Sequence, residues 1–276
     1  MIARLLSASV LIPLLLLLLL AGTREMLFPL LLLAASLLLW EWLGLMHRPV
    51  VLRTFLPVLA PVWLLLCTGH WGAPGWIPLE LVLILAGLLS WGLVNYQPGK
   101  LVSSIAGFRY MGVIYCGVPL MLLDGIRAMQ RGGELICLLL FVIWATDTGA
   151  LLAGRTLGER KLAPHISPNK TWAGFWGGLG LGTLAGLVSA MGFSLPFSFL
   201  EAVVLGGALS FAGQIGDLLE SVLKREAGVK DAGALIPGHG GLLDRLDSLL
   251  FAVPVFALYL RLRAGGADAG VFLLGG

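Results

Sequence analysis

Nine apolar stretches, each about 20 residues long, recur along the chain and limit what it can fold into. A helix of about 20 apolar residues spans the roughly 30 Å hydrocarbon core of a bilayer. The stretches lie near 5–22, 27–46, 50–68, 77–95, 105–123, 134–153, 173–191, 199–219 and 246–263. Because a bilayer offers no water to unpaired backbone groups, we expect each stretch to be helical. The sequence therefore predicts an all-α, polytopic integral membrane protein with about nine transmembrane helices.

Composition supports the same class. Hydrophobic residues make up 58% of the chain and charged residues only 12%, whereas soluble domains contain about 25% charged residues. The first stretch resembles a signal peptide in its preceding Arg4. It lacks a small-x-small cleavage site and is long for a signal core, so we predict a retained helix.

The basic residues are distributed unevenly between the two sides of the predicted bundle. Placing the N-terminus and the loops near 47–53, 96–104, 154–172 and 220–245 on one side leaves only five of the 18 Lys and Arg residues opposite. Those five are Arg24, Arg127, Arg131, Arg261 and Arg263. The positive-inside rule then places the charged loops in the cytoplasm, and we expect a bacterial inner membrane protein.

The two halves of the chain differ in polarity. Residues 1–140 contain leucine-rich stretches joined by short polar connections, which is typical of a transmembrane scaffold. Most of the charge falls after residue 140, chiefly in the loops 154–172 and 220–245. We predict a single integrated membrane domain in which 1–140 form the scaffold and 141–263 form the catalytic region.

Asp147 is the first polar residue that a scaffold does not explain. It lies in an apolar stretch, about 10 Å from the end of that stretch at Gly154 if the segment is helical. An intramembrane carboxylate is costly, so we expect Asp147 to face a cavity, form a pair or bind a cation. The next loop adds basic and hydrogen-bonding residues, namely Arg155, Arg160, Lys161, His165, Ser167 and Lys170. The usual excess of basic residues in cytoplasmic loops explains these Lys and Arg residues, but it does not explain Asp147.

A polar stripe lies near the end of the stretch 199–219. It consists of Gln214, Asp217, Ser221 and Lys224. The spacing of three or four residues puts these side chains on one helical face. Such a stripe lines a wet or ionic site, unless it is only a solvated helix face. We expect the Asp217 carboxylate to lie deeper than Lys224 and Arg225, which suits a metal ion beside an anionic group.

The third polar segment is IPGHGGLLDRLD, residues 236–247. Its Pro and Gly residues break helical structure and let the backbone approach a ligand closely. Asp244 and Asp247 share one helical face. Helix N-terminal placement favours each by about 0.3–1 kcal/mol, less than the roughly 2.5–3.5 kcal/mol cost of an aspartate at the centre of a membrane helix. Helix capping alone therefore does not explain both aspartates. His239 is either an anchor at the membrane interface or a residue that takes part in the chemistry.

Together these segments indicate phosphate chemistry at a cytoplasmic membrane surface. Mg²⁺ binds a few carboxylate oxygens together with substrate phosphates, and basic side chains suit polyphosphate. The sequence contains no His/Cys cluster for zinc, no Ser/His/Asp spacing for acyl transfer and no GxxxxGK[ST] pattern. We expect no nucleic-acid partner.

Residues 221–247, SVLKREAGVKDAGALIPGHGGLLDRLD, resemble the signature of the phosphatidate cytidylyltransferases, also called CDP-diacylglycerol synthases. With φ for an apolar residue, the pattern is S-x-φ-K-R-x4-K-D-x-small-x2-φ-P-x-H-G-G-φ-x-D-R-φ-D, and every fixed position is filled. DTGALLAGRTLGERKLAPHISPNKTWAG (147–174) and GQIGDLLES (213–221) are similar to two further conserved blocks of that family. The resemblance is strong over about 141–250.

The resemblance implies an integral membrane enzyme that condenses CTP with phosphatidic acid, giving CDP-diacylglycerol and pyrophosphate, with Mg²⁺ as cofactor. On this hypothesis the metal ligands are Asp217, Asp244 and Asp247, with Asp147 for a second cation. The other catalytic residues are Lys224, Arg225 and His239. The substrate-binding residues are Arg155, Lys161, Ser167, Lys170, Ser221, Lys230 and Arg245. The bilayer and both substrates are the expected partners, and a homodimer is compatible with the sequence.

Three other classes are weighed against this hypothesis. A CTP-dependent kinase of a lipid alcohol such as a polyprenol shares the apolar chain, the nucleotide and the metal, but it releases CDP instead of pyrophosphate. An ion-coupled transporter predicts charges near the midplane and inverted repeats, whereas the charges here collect at one face. For a CDP-alcohol phosphatidyltransferase, only DGIRAM at 124–129 imitates the start of the expected motif.

Overall fold

The computed structural model describes residues 13–46, 49–72, 76–94, 102–233 and 240–264, and these are almost entirely helical. Residues 13–21 form α1. The remaining helices are α2 (Arg24–Met46), α3 (Leu52–His70), α4 (Ile77–Val94), α5 (Val102–Gly112), α6 (Val118–Ala128), α7 (Gly132–Leu157), α8 (Trp172–Gly192), α9 (Phe199–Glu226) and α10 (Leu243–Arg263). A π-helical turn, Val113–Gly117, joins α5 to α6. The predicted all-α polytopic membrane fold is confirmed.

Seven apolar segments of the described chain are long enough to cross a membrane. They are α2, α3, α4, the joined segment Ser104–Ala128, α7, α8 and α9. Helix α10 has 21 residues but carries charged residues at both ends, so its apolar centre is shorter. Residues 5–12 of the predicted stretch 5–22 lie outside the described residues, and 13–21 form α1.

Helices α7, α8 and α9 pack through glycines, which let the backbones approach closely. A Cβ on Gly149 of α7 would lie 2.5 Å from the carbonyl oxygen of Gly177 in α8. A Cβ on Gly186 of α8 would lie 2.7 Å from the Cα of Gly206 in α9. Helix α10 packs against α9 and α6 and completes this group. Close packing therefore fixes the four helices that carry the polar segments.

A β-hairpin interrupts the predicted loop 154–172. Strand β1 (Lys161–Ala163) pairs antiparallel with β2 (Ser167–Thr171). The hairpin leads directly into α8, because the Thr171 side chain accepts a hydrogen bond from the Gly174 N–H at 3.1 Å and caps that helix. The backbone N–H of Trp172 donates to the Arg160 carbonyl oxygen at 3.0 Å. The segment that precedes α8 is thus ordered by main-chain hydrogen bonds and a helix cap.

Candidate active site

A cavity of about 620 Å³ opens where α7 and α9 end and where α8 and α10 begin. This volume lies within the roughly 300–1,000 Å³ typical of small-molecule sites. Its charged lining residues are Asp147, Lys170, Asp217, Lys224, Asp244, Arg245 and Asp247. All seven belong to the set of site residues predicted from the sequence. Three stretches distant in sequence therefore meet at one end of the helix bundle.

Three of the aspartates come from three different helices. Asp147 belongs to α7, Asp217 to α9 and Asp247 to α10. Asp247 is buried, whereas Asp147 is exposed to the cavity. All three line the same cavity, where the negative charge of Asp217 acts unfavourably on both of the others. We call Asp147, Asp217 and Asp247 the acidic group.

Lys170 brings positive charge to the acidic group from the hairpin. Its ammonium nitrogen lies 2.7 Å from Oδ2 of Asp217. Strand β2 carries Lys170, and Thr171 next to it caps α8, so the hairpin and the helix cap together set its position. This pair links the loop 154–172 to α9.

Asp244 has a different environment from the acidic group. Its Oδ1 accepts a hydrogen bond from Lys224 Nζ at 2.7 Å, and its Oδ2 accepts from the N–H groups of Gly241 and Ala232 at 2.8 and 3.0 Å. Lys224 also lies 2.5 Å from Oε2 of Glu220, which is fully buried. Both Asp244 oxygens are therefore engaged in holding Lys224 and the segment before α10.

Glu220 was not among the predicted site residues. It lies four residues before Lys224, the spacing at which oppositely charged residues on a helix attract each other. The polar stripe was drawn through Ser221 instead, and that residue is buried and does not line the cavity. Asn169 also lines the cavity and was missed. The sequence around Asn169, which precedes Lys170, does not indicate which way the Asn169 side chain points.

Several predicted residues lie away from the cavity lining. Arg225 donates from Nε to the carbonyl oxygen of Ile166 at 3.2 Å, so it holds the hairpin turn against α9. The other described residues that were predicted to bind substrate but do not line the cavity are Arg155, Lys161, Ser167, Ser221 and Lys230. His239 lies outside the described residues. Their assignments to catalysis or substrate binding stay predictions.

The carboxylates do not form a ready-made metal cage. Within the described ranges, no group of three or more His, Cys, Asp or Glu side chains is placed to hold a metal ion. Mg²⁺, however, is commonly bound by one or two carboxylates, with waters and substrate phosphates completing its octahedron. The donor chemistry of the acidic group fits this mode. Asp244 fits it less well, because both its oxygens already accept hydrogen bonds.

Fold and site together define a polytopic membrane protein with a cavity suited to a cation and anionic groups at one end of its helices. The chain matches the model of the cytidylyltransferase family over residues 2–263. The protein therefore belongs to the cytidylyltransferase family, and the family predicted from the sequence signature is confirmed.

Similar proteins include several named phosphatidate cytidylyltransferase. The chain is 43% identical to the Bacillus subtilis (strain 168) protein over 157 residues, which make up 56% of this chain and 58% of that protein. It is also 43% identical to the Staphylococcus epidermidis RP62A protein over 155 residues and to the Staphylococcus aureus COL protein over 157 residues. Each alignment covers 56% of this chain and 59% of the staphylococcal protein. The match thus spans somewhat over half the length of these relatives.

Proposed function

We propose that the protein transfers a cytidylyl group from CTP to phosphatidic acid, giving CDP-diacylglycerol and pyrophosphate. The observation that carries this proposal is one cavity in which the acidic group meets Lys170, Lys224 and Arg245 at the end of membrane helices. Membership of the cytidylyltransferase family and the name of the similar bacterial proteins support it.

The position of the cavity suits one water-soluble and one lipid substrate. Its lining contains apolar side chains from α7 and α8, including Trp144, Leu151 and Phe175, beside the charged residues. Acyl chains in the leaflet can reach the apolar side while the triphosphate approaches from water. We place this face on the cytoplasmic side of a bacterial inner membrane, because the basic loops collect there.

The reaction requires positioning and charge neutralisation more than a protein base. An oxygen of the phosphatidic acid phosphate forms a bond to the α-phosphorus of CTP, and the bond from that phosphorus to the pyrophosphate oxygen breaks. The nucleophile is already an anion, so no proton has to be removed. Lys170, Lys224 and Arg245 would offset the repulsion between the two substrates and the charge on the departing pyrophosphate.

The acidic group would hold Mg²⁺, with Asp147 as the proposed ligand of a second cation. When bound, the ion supplies positive charge to phosphate oxygens during displacement. Asp147, Asp217 and Asp247 would bind and orient it, and Lys170 lies beside Asp217. Asp244 keeps Lys224 pointing into the cavity.

The test is a reaction of purified protein in detergent with radiolabelled CTP and phosphatidic acid, with and without Mg²⁺. We expect labelled CDP-diacylglycerol and one pyrophosphate for each lipid product, and no turnover after chelation. Release of CDP with a phosphorylated lipid alcohol would favour the kinase alternative. Absence of any product from either lipid would refute both assignments.

A further inference from the structure

Glu41 is a buried carboxylate in the half of the chain predicted to be scaffold. It belongs to α2, and only 3% of its surface is exposed. Its neighbours in α2 are almost all apolar. An acidic side chain in such a helix is costly unless hydrogen bonds compensate. Its contacts should therefore show what it does.

The Glu41 carboxylate contacts the first residue of α10. Oε2 accepts a hydrogen bond from the backbone N–H of Leu243 at 2.7 Å, across 202 positions of sequence. The first N–H groups of a helix have no partner within the helix, and a negative charge is favourable there. Among the described residues, the N-cap Leu242 supplies no side-chain hydrogen bond to this end. Glu41 thus caps α10 from another helix.

The same carboxylate fills the space beside two glycines. A Cβ on Gly241 would lie 2.5 Å from Glu41 Oε2, and a Cβ on Gly233 would collide with Oε1. Gly233 and Gly241 flank residues 234–239 in the sequence, so the Glu41 carboxylate lies against the chain both before and after those residues. Any side chain at either position would displace the carboxylate.

The residues that Glu41 fixes are next to the polar residues of the cavity. Asp244 follows Leu243 directly and accepts hydrogen bonds from Gly241 and Ala232, which lie on either side of the same segment. Asp247 lies one turn further along α10. Glu41 itself does not line the cavity. Its effect on the site must therefore act through the position of α10.

We propose that Glu41 is a positioning residue of the active site, which anchors the N-terminus of α10 and thereby sets Asp244 and Asp247 relative to Asp217. The inference rests on the proposed function for its catalytic consequence. The anchoring itself is independent of which reaction the site performs.

The test compares Glu41→Met and Glu41→Gln with Glu80→Met. Methionine has a similar length, lacks an oxygen acceptor and suits an apolar helix, while glutamine keeps one acceptor oxygen. Glu80 is the matched control because it is another buried carboxylate of the scaffold helices. Its Oε1 accepts a hydrogen bond from Thr68 of α3 at 3.1 Å, and within the described part of the chain it makes no hydrogen bond to α10.

Two readouts are measured on detergent-purified protein. The first is hydrogen exchange at the Leu243 amide, which we expect to accelerate by about tenfold or more in Glu41→Met, because hydrogen bonds to charged groups are strong. The second is the steady-state rate, where kcat should fall about tenfold and the Mg²⁺ concentration for half-maximal rate should rise. Glu41→Gln should lie between Glu41→Met and wild type in both, and Glu80→Met should match wild type.

If the Leu243 amide of Glu41→Met exchanged hydrogen at the same rate as in wild type, the proposed anchoring would be overturned. Equal effects of Glu80→Met and Glu41→Met would also overturn it, because the cause would then be loss of any buried carboxylate. Faster exchange with unchanged kcat and Mg²⁺ requirement would overturn the link to the site. If wild type transfers no cytidylyl group, the proposed function fails, while the exchange comparison still decides the anchoring.

Discussion

The two ends of the helix bundle differ in how their carboxylates are grouped. At the end away from the cavity, opposite charges meet directly. Arg24 contacts Asp124 at 2.6 Å, His70 Nδ1 lies 3.0 Å from the same carboxylate, and Arg263 contacts Glu201 at 3.0 Å. These residues join α2, α3 and α6, and α9 to α10. The Asp124 and Glu201 carboxylates are thus each paired with an arginine.

At the cavity end, like charges from separate helices face one another. Asp147, Asp217 and Asp247 repel one another. Lys170 pairs with Asp217 alone among these three, and Lys224 pairs instead with Asp244 and Glu220. Such an arrangement costs stability unless a cation binds. We therefore expect the charge pairs at both ends to stabilise the bundle, and the like charges gathered at the cavity to bind ligand. The following predictions test that distinction.

The largest effect is expected for Asp217→Asn. This change removes the central negative charge of the acidic group at nearly constant shape. We expect cytidylyl transfer to fall by at least about 100-fold, as for loss of a charged group that acts in the transition state, with a melting temperature equal to or above wild type. Activity of a tenth or more of wild type, with normal Mg²⁺ dependence, would contradict the metal-binding role of Asp217.

Asp124→Asn should have the opposite effect to Asp217→Asn, because it should lower stability and leave activity nearly unchanged. Asp124 is 1% exposed and pairs with Arg24 and His70. Breaking a buried pair costs about 3–5 kcal/mol; we expect about 2 kcal/mol here, because Arg24 keeps partial access to solvent. The melting temperature in detergent should fall by roughly 5 °C, while kcat per folded molecule stays within twofold of wild type. A large loss of kcat without a change in melting temperature would break the comparison.

The sequence predicted the cavity side of this contrast, for a physical reason, but not the charge pairs at the opposite end. Lipid makes an isolated charge expensive, so Asp147, Asp217 and Asp247 stood out in apolar stretches, and the structure brings them to one cavity. The helical fold followed from the same constraint on backbone polar groups. The roles of these residues stay predictions.

The features of the site that were not predicted depend on tertiary contacts, which the spacing of residues in the sequence does not reveal. Glu41 satisfied the same criterion of charge cost but was assigned to the scaffold, because its partner Leu243 is 202 positions away. Arg225 belongs to the signature, yet its guanidinium points to the Ile166 carbonyl oxygen. That contact depends on the β-hairpin, whose short strands lack apolar alternation.

Lys170→Ala should have an intermediate effect. Lys170 balances Asp217 and faces the cavity from β2. Without it, we expect the KM for one substrate to rise by about tenfold together with slower turnover, which matches the roughly 1.4 kcal/mol of a modest charged contact. Arg131→Ala is the control at the opposite end, where Arg131 contacts Glu134. Unchanged KM values for both CTP and phosphatidic acid would argue against a binding role for Lys170.

The smallest effect is expected for Glu134→Gln. The Glu134 carboxylate lies 3.3 Å from Arg131 Nε, and both side chains are partly exposed. Pairs of this kind contribute about 0–1 kcal/mol, and Arg131 retains hydrogen bonds to the carbonyl oxygens of Phe193 and Ser194. The melting temperature should therefore change by less than about 2 °C, and kcat and KM should match wild type. A loss of activity here would show that balanced charges far from the cavity also control the site, and the distinction between the two ends would then have to be abandoned.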